Sequence, residues 1–235
     1  MKQLYLVILF SSISLIGATQ EIDLIEYFRF NNPPVAVDYI GQTTDSTFVT
    51  RYEYTPDLLF NNFTTLKQER LSGPTAAENS VNTNYFIVGD ASWDTAGVAF
   101  IVELSGAAFP IELKFDPPIS TARFVSVGDT ITQVGTSRVN LGPFPVNINF
   151  NVTLKVLAFE SLETPLGQFD NALKMERLVS FSIPGLEERL DTTEWYHPSV
   201  GLVRSDEIGG GNQLLVRQID PPLDTGIRDW ESVLD

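Results

Sequence analysis

Apolar and polar residues alternate along most of this chain with a period of two. "TFVTRYEY" sets Phe48, Thr50, Tyr52 and Tyr54 on one face, and "GVAFIVELSG" groups Val98, Phe100, Val102 and Leu104. "IELKFD" separates Ile111, Leu113 and Phe115 from Glu112, Lys114 and Asp116. The longest run, "VNINFNVTLKV", turns Val146, Ile148, Phe150, Val152, Leu154 and Val156 one way and Asn147, Asn149, Asn151, Thr153 and Lys155 the other. Side chains alternate across a strand, so each run predicts a half-buried antiparallel strand. "FDPP", "NLGPFP", "TPLGQFDN", "IPG" and "IGGGN" read as the turns between runs.

Helical signals are few. "EIDLIEYFRF" fits a short helix or a first strand before "NNPP" breaks it, and "TPDLLFNNF" could form one helical turn. No apolar stripe of period 3.6 is sustained, so the crossover helices of a parallel sheet are missing. The expected fold is mainly β with little helix: a large curved antiparallel sheet (half-barrel) or a β-sandwich. Residues 19–219 would form a single domain, with 220–235 a C-terminal extension that breaks the strand pattern.

The first twenty residues stand apart. Lys2 precedes an apolar run from Leu4 to Ile16, followed by the small residues of "GAT". That is the layout of a signal peptide cut near Ala18, too short to span a bilayer comfortably. The expectation is a secreted or periplasmic protein with residues 1–18 removed and no integral membrane span afterwards.

Composition narrows the chemistry. The formal net charge of −15 disfavours nucleic acid as a partner. With no cysteine, the chain has neither disulfide nor thiol chemistry. The single histidine, His197, lies in "EWYHPSVGLVRSDE", and no "GxSxG" elbow accompanies it. A zinc site of ordinary type cannot be assembled, and "GDASWD", "SDE" and the acidic tail lack the spacing of a calcium loop. No catalytic, metal or cofactor-binding residue is assigned.

Four segments occur in order: "FVSVGDTITQVGTSRV" at 124–139, the long alternating strand, "LETPLGQFDNALKMERL" at 162–178, and "TTEWYHPSVGLVRSDE" at 192–207. Their succession resembles a broad group of secreted or periplasmic bacterial proteins whose C-terminal half reads, loosely, "VGD … PaGxFdNcLk … WyaPGVGLVks". By analogy, the resemblance implies a sheet curved around a helix, as in lipoprotein carriers. It supplies no catalytic residue. This chain has His197 where the group commonly has alanine, and Ser199 where it has glycine. The residues carrying the motifs read as structural. Pro165 and Gly167 turn the chain and Phe169 plugs the core. Trp195 and Tyr196 end a strand, Trp195 as a core anchor, and Pro198 and Gly201 make the next turn.

Three functions follow as expectations. The first is a non-enzymatic exported protein sheltering a lipid or other apolar ligand in its curved sheet. The second is a carbohydrate-binding surface module using Tyr52, Tyr54, Trp93, Trp195 and Tyr196. The third is a hydrolase built on a carboxylate pair.

Overall fold

In the computed structural model, the structure describes residues 21–42, 47–72, 82–104, 107–141, 144–183, 186–207 and 212–219. The expected signal peptide 1–18, the expected extension 220–235 and the "GGG" at 209–211 lie outside the described residues. Strand β1 (Ile22–Asp23) leads into helix α1 (Leu24–Phe28). Then follow β2 (Ala36–Gln42), β3 (Thr47–Phe60), β4 (Phe63–Ser72), β5 (Asn82–Val88), β6 (Ser92–Leu104), β7 (Ala107–Ala122) and β8 (Phe124–Val125). The C-terminal half contributes β9 (Thr130–Leu141), β10 (Phe144–Thr164), β11 (Gly167–Ile183), β12 (Leu186–His197), β13 (Gly201–Glu207) and β14 (Asn212–Ile219).

Twelve of these strands form one antiparallel sheet in the order β7-β6-β5-β4-β3-β2-β14-β13-β12-β11-β10-β9, and β1 pairs with β8 separately. The sheet curls until its two edges meet, giving a nearly closed barrel rather than a sandwich. Between β7 and β9 there is no backbone ladder. Side chains hold this seam: Gln133 donates its amide to the Thr121 hydroxyl, and Ser137 Oγ donates to the Lys114 carbonyl at 3.2 Å. Gly135 is what lets the edges approach. A Cβ there would stand 2.4 Å from Ile119 Cδ1 and 2.9 Å from Phe115 Cε1.

The alternation read from the sequence decides which residues face inward. Ile148, Phe150, Val152, Leu154 and Val156 of β10 are buried, while Asn147, Asn149 and Lys155 are exposed. The ladder carries this parity onto β11, where Met175, Arg177, Val179 and Phe181 oppose Val156, Leu154, Val152 and Phe150. Rings meet across the interior: Phe100 of β6 lies 5.0 Å from Phe181, and Phe115 of β7 lies 5.5 Å from Phe150. Apolar side chains therefore line the part of the barrel nearest the seam.

Helix α1 closes one end. The Asp23 carboxylate caps it, accepting from the Ile25 amide at 3.1 Å. The same carboxylate accepts two hydrogen bonds from Arg123, at 2.8 and 2.5 Å, which hold its pKa below the usual carboxylate value. Leu24 and Ile25 are fully buried, and Phe28 packs edge-on against Tyr196 of β12 at 4.6 Å and Trp93 of β6 at 5.6 Å. One ring thus bridges strands on opposite walls.

Two turn readings differ from the structure. "TPDLLFNNF" is no helical turn. β3 bulges at Asp57, in the left-handed region, and reverses at Asn61 and Asn62, both also left-handed. Paired asparagines supply the positive φ angles of a two-residue hairpin turn, and that local chemistry outweighs the leucines before it. "FDPP" does not end a run either. Asp116, Pro117 and Pro118 lie inside β7, where the register with β6 slips between Lys114 and Ile119. An edge strand tolerates residues that cannot donate to a ladder.

Candidate functional site

The motif residues gather at the helix-closed end. Pro165 and Leu166 form the reversal between β10 and β11, Gly167 opens β11, and Phe169 is buried against Val37, Tyr39, Val203 and Leu215. The β12–β13 turn lies alongside, with the His197 ring 5.4 Å from that of Phe169. Pro198 is exposed in this turn, and Gly201, at φ 84°, begins β13 beneath the Phe28 carbonyl. Arg29 Nη1 donates to the Ser199 carbonyl at 2.8 Å, tying the helix exit to the same turn. Ser199 and Gly201 of the β12–β13 turn form the seat for the end of α1.

His197 packs against Ser199 within the β12–β13 turn. Its Nδ1 accepts from the Ser199 amide at 3.2 Å and lies 2.7 Å from Ser199 Oγ, so Nδ1 is the unprotonated nitrogen. Burial lowers its pKa, with Asp170 opposing the shift.

Trp195 is buried, at 8% exposure, but on the outer face rather than in the apolar core. Its register partners Lys174 and Arg204 both lie over the ring, at 5.2 and 5.0 Å. Nε1 donates to Glu160 Oε2 at 2.9 Å, and this bond, with the Lys174 ion pair, lowers the Glu160 pKa. The parity of β12 explains the placement: Tyr196 and Glu194 face inward, so Trp195 faces out. The other proposed platform aromatics do not form one. Trp93 is buried among Phe28, Phe30 and Phe86, while Tyr52 and Tyr54 face the interior.

A polar constellation occupies the interior between β2–β5 and β11–β13. At its centre, Glu194 Oε2 accepts from the Tyr196 hydroxyl at 2.6 Å. Its Oε1 accepts from Thr192 at 3.1 Å and faces Arg177 Nη1 at 3.5 Å. Burial opposes the Arg177 charge, but Glu194, Tyr196 and Tyr52 together hold its pKa above the usual value. Burial pushes the Tyr196 pKa well up, and Glu194 adds to it. Tyr39 is pushed up in the same way, and its hydroxyl donates to the Leu202 carbonyl at 3.0 Å. Tyr54 is raised to about 12 by burial, against the opposing effect of the Gln68 amide, which donates to its hydroxyl at 3.1 Å. Asn84 extends the chain by donating to Gln68 Oε1 at 3.2 Å.

Arg70 faces the same interior from the other side, on β4, six places from β11 in the sheet order. It stands opposite Tyr52 in the β3–β4 ladder, and Leu66 and Gln68 share its face. Its Nε is buried without a hydrogen-bond partner among the described residues. Parity alone could have singled out Arg177, because "LKMERLVSF" places it among Leu173, Met175, Val179 and Phe181.

Among the described residues, no three His, Cys, Asp or Glu side chains gather as a metal site, and no helix is long and apolar enough to cross a membrane. A cleft of about 450 Å³ lies at the seam, lined by residues 115–120 and 132–136.

No family model and no curated protein matches the chain. Two solved structures are similar to it. One is a Bacteroides fragilis protein, described as exported with a YmcC-like fold: TM-score 0.46 at 13% identity, covering 80% of this chain and 96% of that one. The other, described as a lipoprotein from Parabacteroides distasonis, gives TM-score 0.43 at 13% identity and covers 79% of this chain and 95% of that one.

Proposed function

We propose that the protein is exported and that its barrel interior shelters a lipid-like ligand without transforming it. The observation carrying this reading is the state of the inner face beyond the helix. Arg177 sits in mid-strand yet keeps 36% of its side-chain surface accessible, and Phe100, Val179 and Phe181 further along the inner face are only half-buried. A barrel whose core were packed throughout would bury such residues fully. Binding sites are typically concave and apolar with a few convergent polar groups, and this wall has both components. The export half of the proposal rests on Lys2, the apolar run Leu4–Ile16 and the small residues after it.

Native mass spectrometry of protein recovered from the exported fraction of its own host tests both halves. The expected result is a chain beginning near Thr19 with a small apolar molecule bound. A chain retaining Met1 would contradict export. Ligand-free protein that also fails to take up 1-dodecanol would contradict the sheltering role.

A further inference from the structure

We propose that the interior site takes an anionic amphiphile, an acyl chain ended by a carboxylate or phosphate, with Arg70 and Arg177 holding the head group. This rests on the interior-binding reading above and specifies its ligand.

The chain carries −15 overall. On the inner face the balance reverses: the described side chains there include two arginines, Arg70 and Arg177, and one buried carboxylate, Glu194, which pairs with Arg177. Glu207, the register partner of Thr192, is exposed at the strand end. Glu194 is already committed to Tyr196 at 2.6 Å and Thr192 at 3.1 Å, so its 3.5 Å approach to Arg177 uses one of that guanidinium's five donors. Arg70 has no ion pair among the described residues, and its Nε is buried unpaired. A buried guanidinium N–H with no acceptor is costly, and a bound anion within its reach would remove that cost.

Placement adds a second strand of reasoning. Tyr52 is the register partner of Arg70, and its phenol also lies within electrostatic reach of Arg177. Planar guanidinium groups match the oxygens of carboxylate and phosphate in paired hydrogen bonds. Apolar surface begins immediately beside them. Asn84 pairs with Val98, two residues before Phe100, while Val179 and Phe181 follow Arg177 on one face. From Arg177 to Phe181 the strand advances roughly 13 Å, room for a medium-length acyl chain.

Calorimetric titration with dodecanoate, dodecyl phosphate and 1-dodecanol, each below its micelle concentration, tests the proposal without any variant. Wild-type protein should bind at least one of the two anions about tenfold or more tightly than the alcohol, and the tighter anion identifies the head group. Arg70→Gln should close that gap and leave 1-dodecanol binding unchanged, and Arg70→Lys should restore part of it. Equal affinity for alcohol and anions would overturn the head-group assignment while leaving the sheltering role standing. Binding of none of the three would overturn both.

Discussion

Tyr196 donates its hydroxyl to Glu194 at 2.6 Å while its ring packs edge-on against Phe28 at 4.6 Å. One side chain therefore joins the helix that closes the barrel to the polar centre of its interior. Glu194→Ala would leave the Tyr196 and Thr192 hydroxyls without their acceptor and Arg177 without its only described carboxylate. Arg177 keeps part of its surface accessible, which softens the penalty, so the expected loss is about 2 kcal/mol. Urea unfolding should show a lower midpoint at unchanged slope, with Glu194→Gln intermediate. Stability equal to wild type would remove Glu194 from this role.

Trp195 is held by charge on the outside of the sheet. Trp195→Ala should cost ~3 kcal/mol, because it removes a large buried ring and the surface on which Lys174 and Arg204 lie. Trp195→Phe keeps the ring and deletes the bond to Glu160, for a loss of about 1 kcal/mol. In that variant the Glu160 pKa should rise towards the ordinary carboxylate value. A carboxylate with a depressed folded pKa stabilises the protein above its unfolded pKa, and the contribution fades as pH falls through the folded value. Wild type should thus lose more stability than Trp195→Phe on acidification through that range. Parallel acid-unfolding curves would contradict the assignment.

Much of the architecture was legible in the sequence because period-two alternation is a direct image of a half-buried strand, and "VNINFNVTLKV" became the buried and exposed faces of β10. What was not legible was curvature. Nothing in the pattern distinguishes one rolled sheet from two stacked ones, since both bury one face of each strand. Trp195 shows the limit of composition: a tryptophan among apolar neighbours reads as core, yet strand parity sends it outward to be covered by cations. The polar interior was half-legible. Arg177 breaks the apolar parity of its strand, whereas the value of Arg70 depends on which strands face it, and that is fixed only by the closure of the sheet.

His197 gives a titration free of overlap, being the single histidine in the chain. Its imidazole resonance should titrate below 6.5, since burial disfavours the charged ring and protonation would turn Nδ1 against the Ser199 amide. The neutral-ring preference stabilises the fold above pH 6.5, and the contribution disappears as pH falls through the lower folded value. His197→Ala should change stability by less than about 1 kcal/mol and abolish that part of the pH dependence. An imidazole titrating above 6.5 would contradict the geometry.

Gly135 tests the seam. A valine there would drive its Cβ into Ile119 and Phe115, so Gly135→Val should destabilise by about 1–3 kcal/mol. Hydrogen exchange should then rise first in β7 and β9, the strands with no ladder between them. Uniform acceleration across all twelve strands would show that the seam is not the weak line of the barrel.

The central claim is that the inside of the barrel holds an acyl chain. The most direct measurement is a filtered NOE experiment on isotope-labelled protein with unlabelled 1-dodecanol. The predicted contacts run from the chain methylenes to Phe100, Val179 and Phe181, with none to Leu59 or Val134, the most exposed apolar side chains described. Contacts confined to those two exposed residues, or no contacts at all, would contradict it.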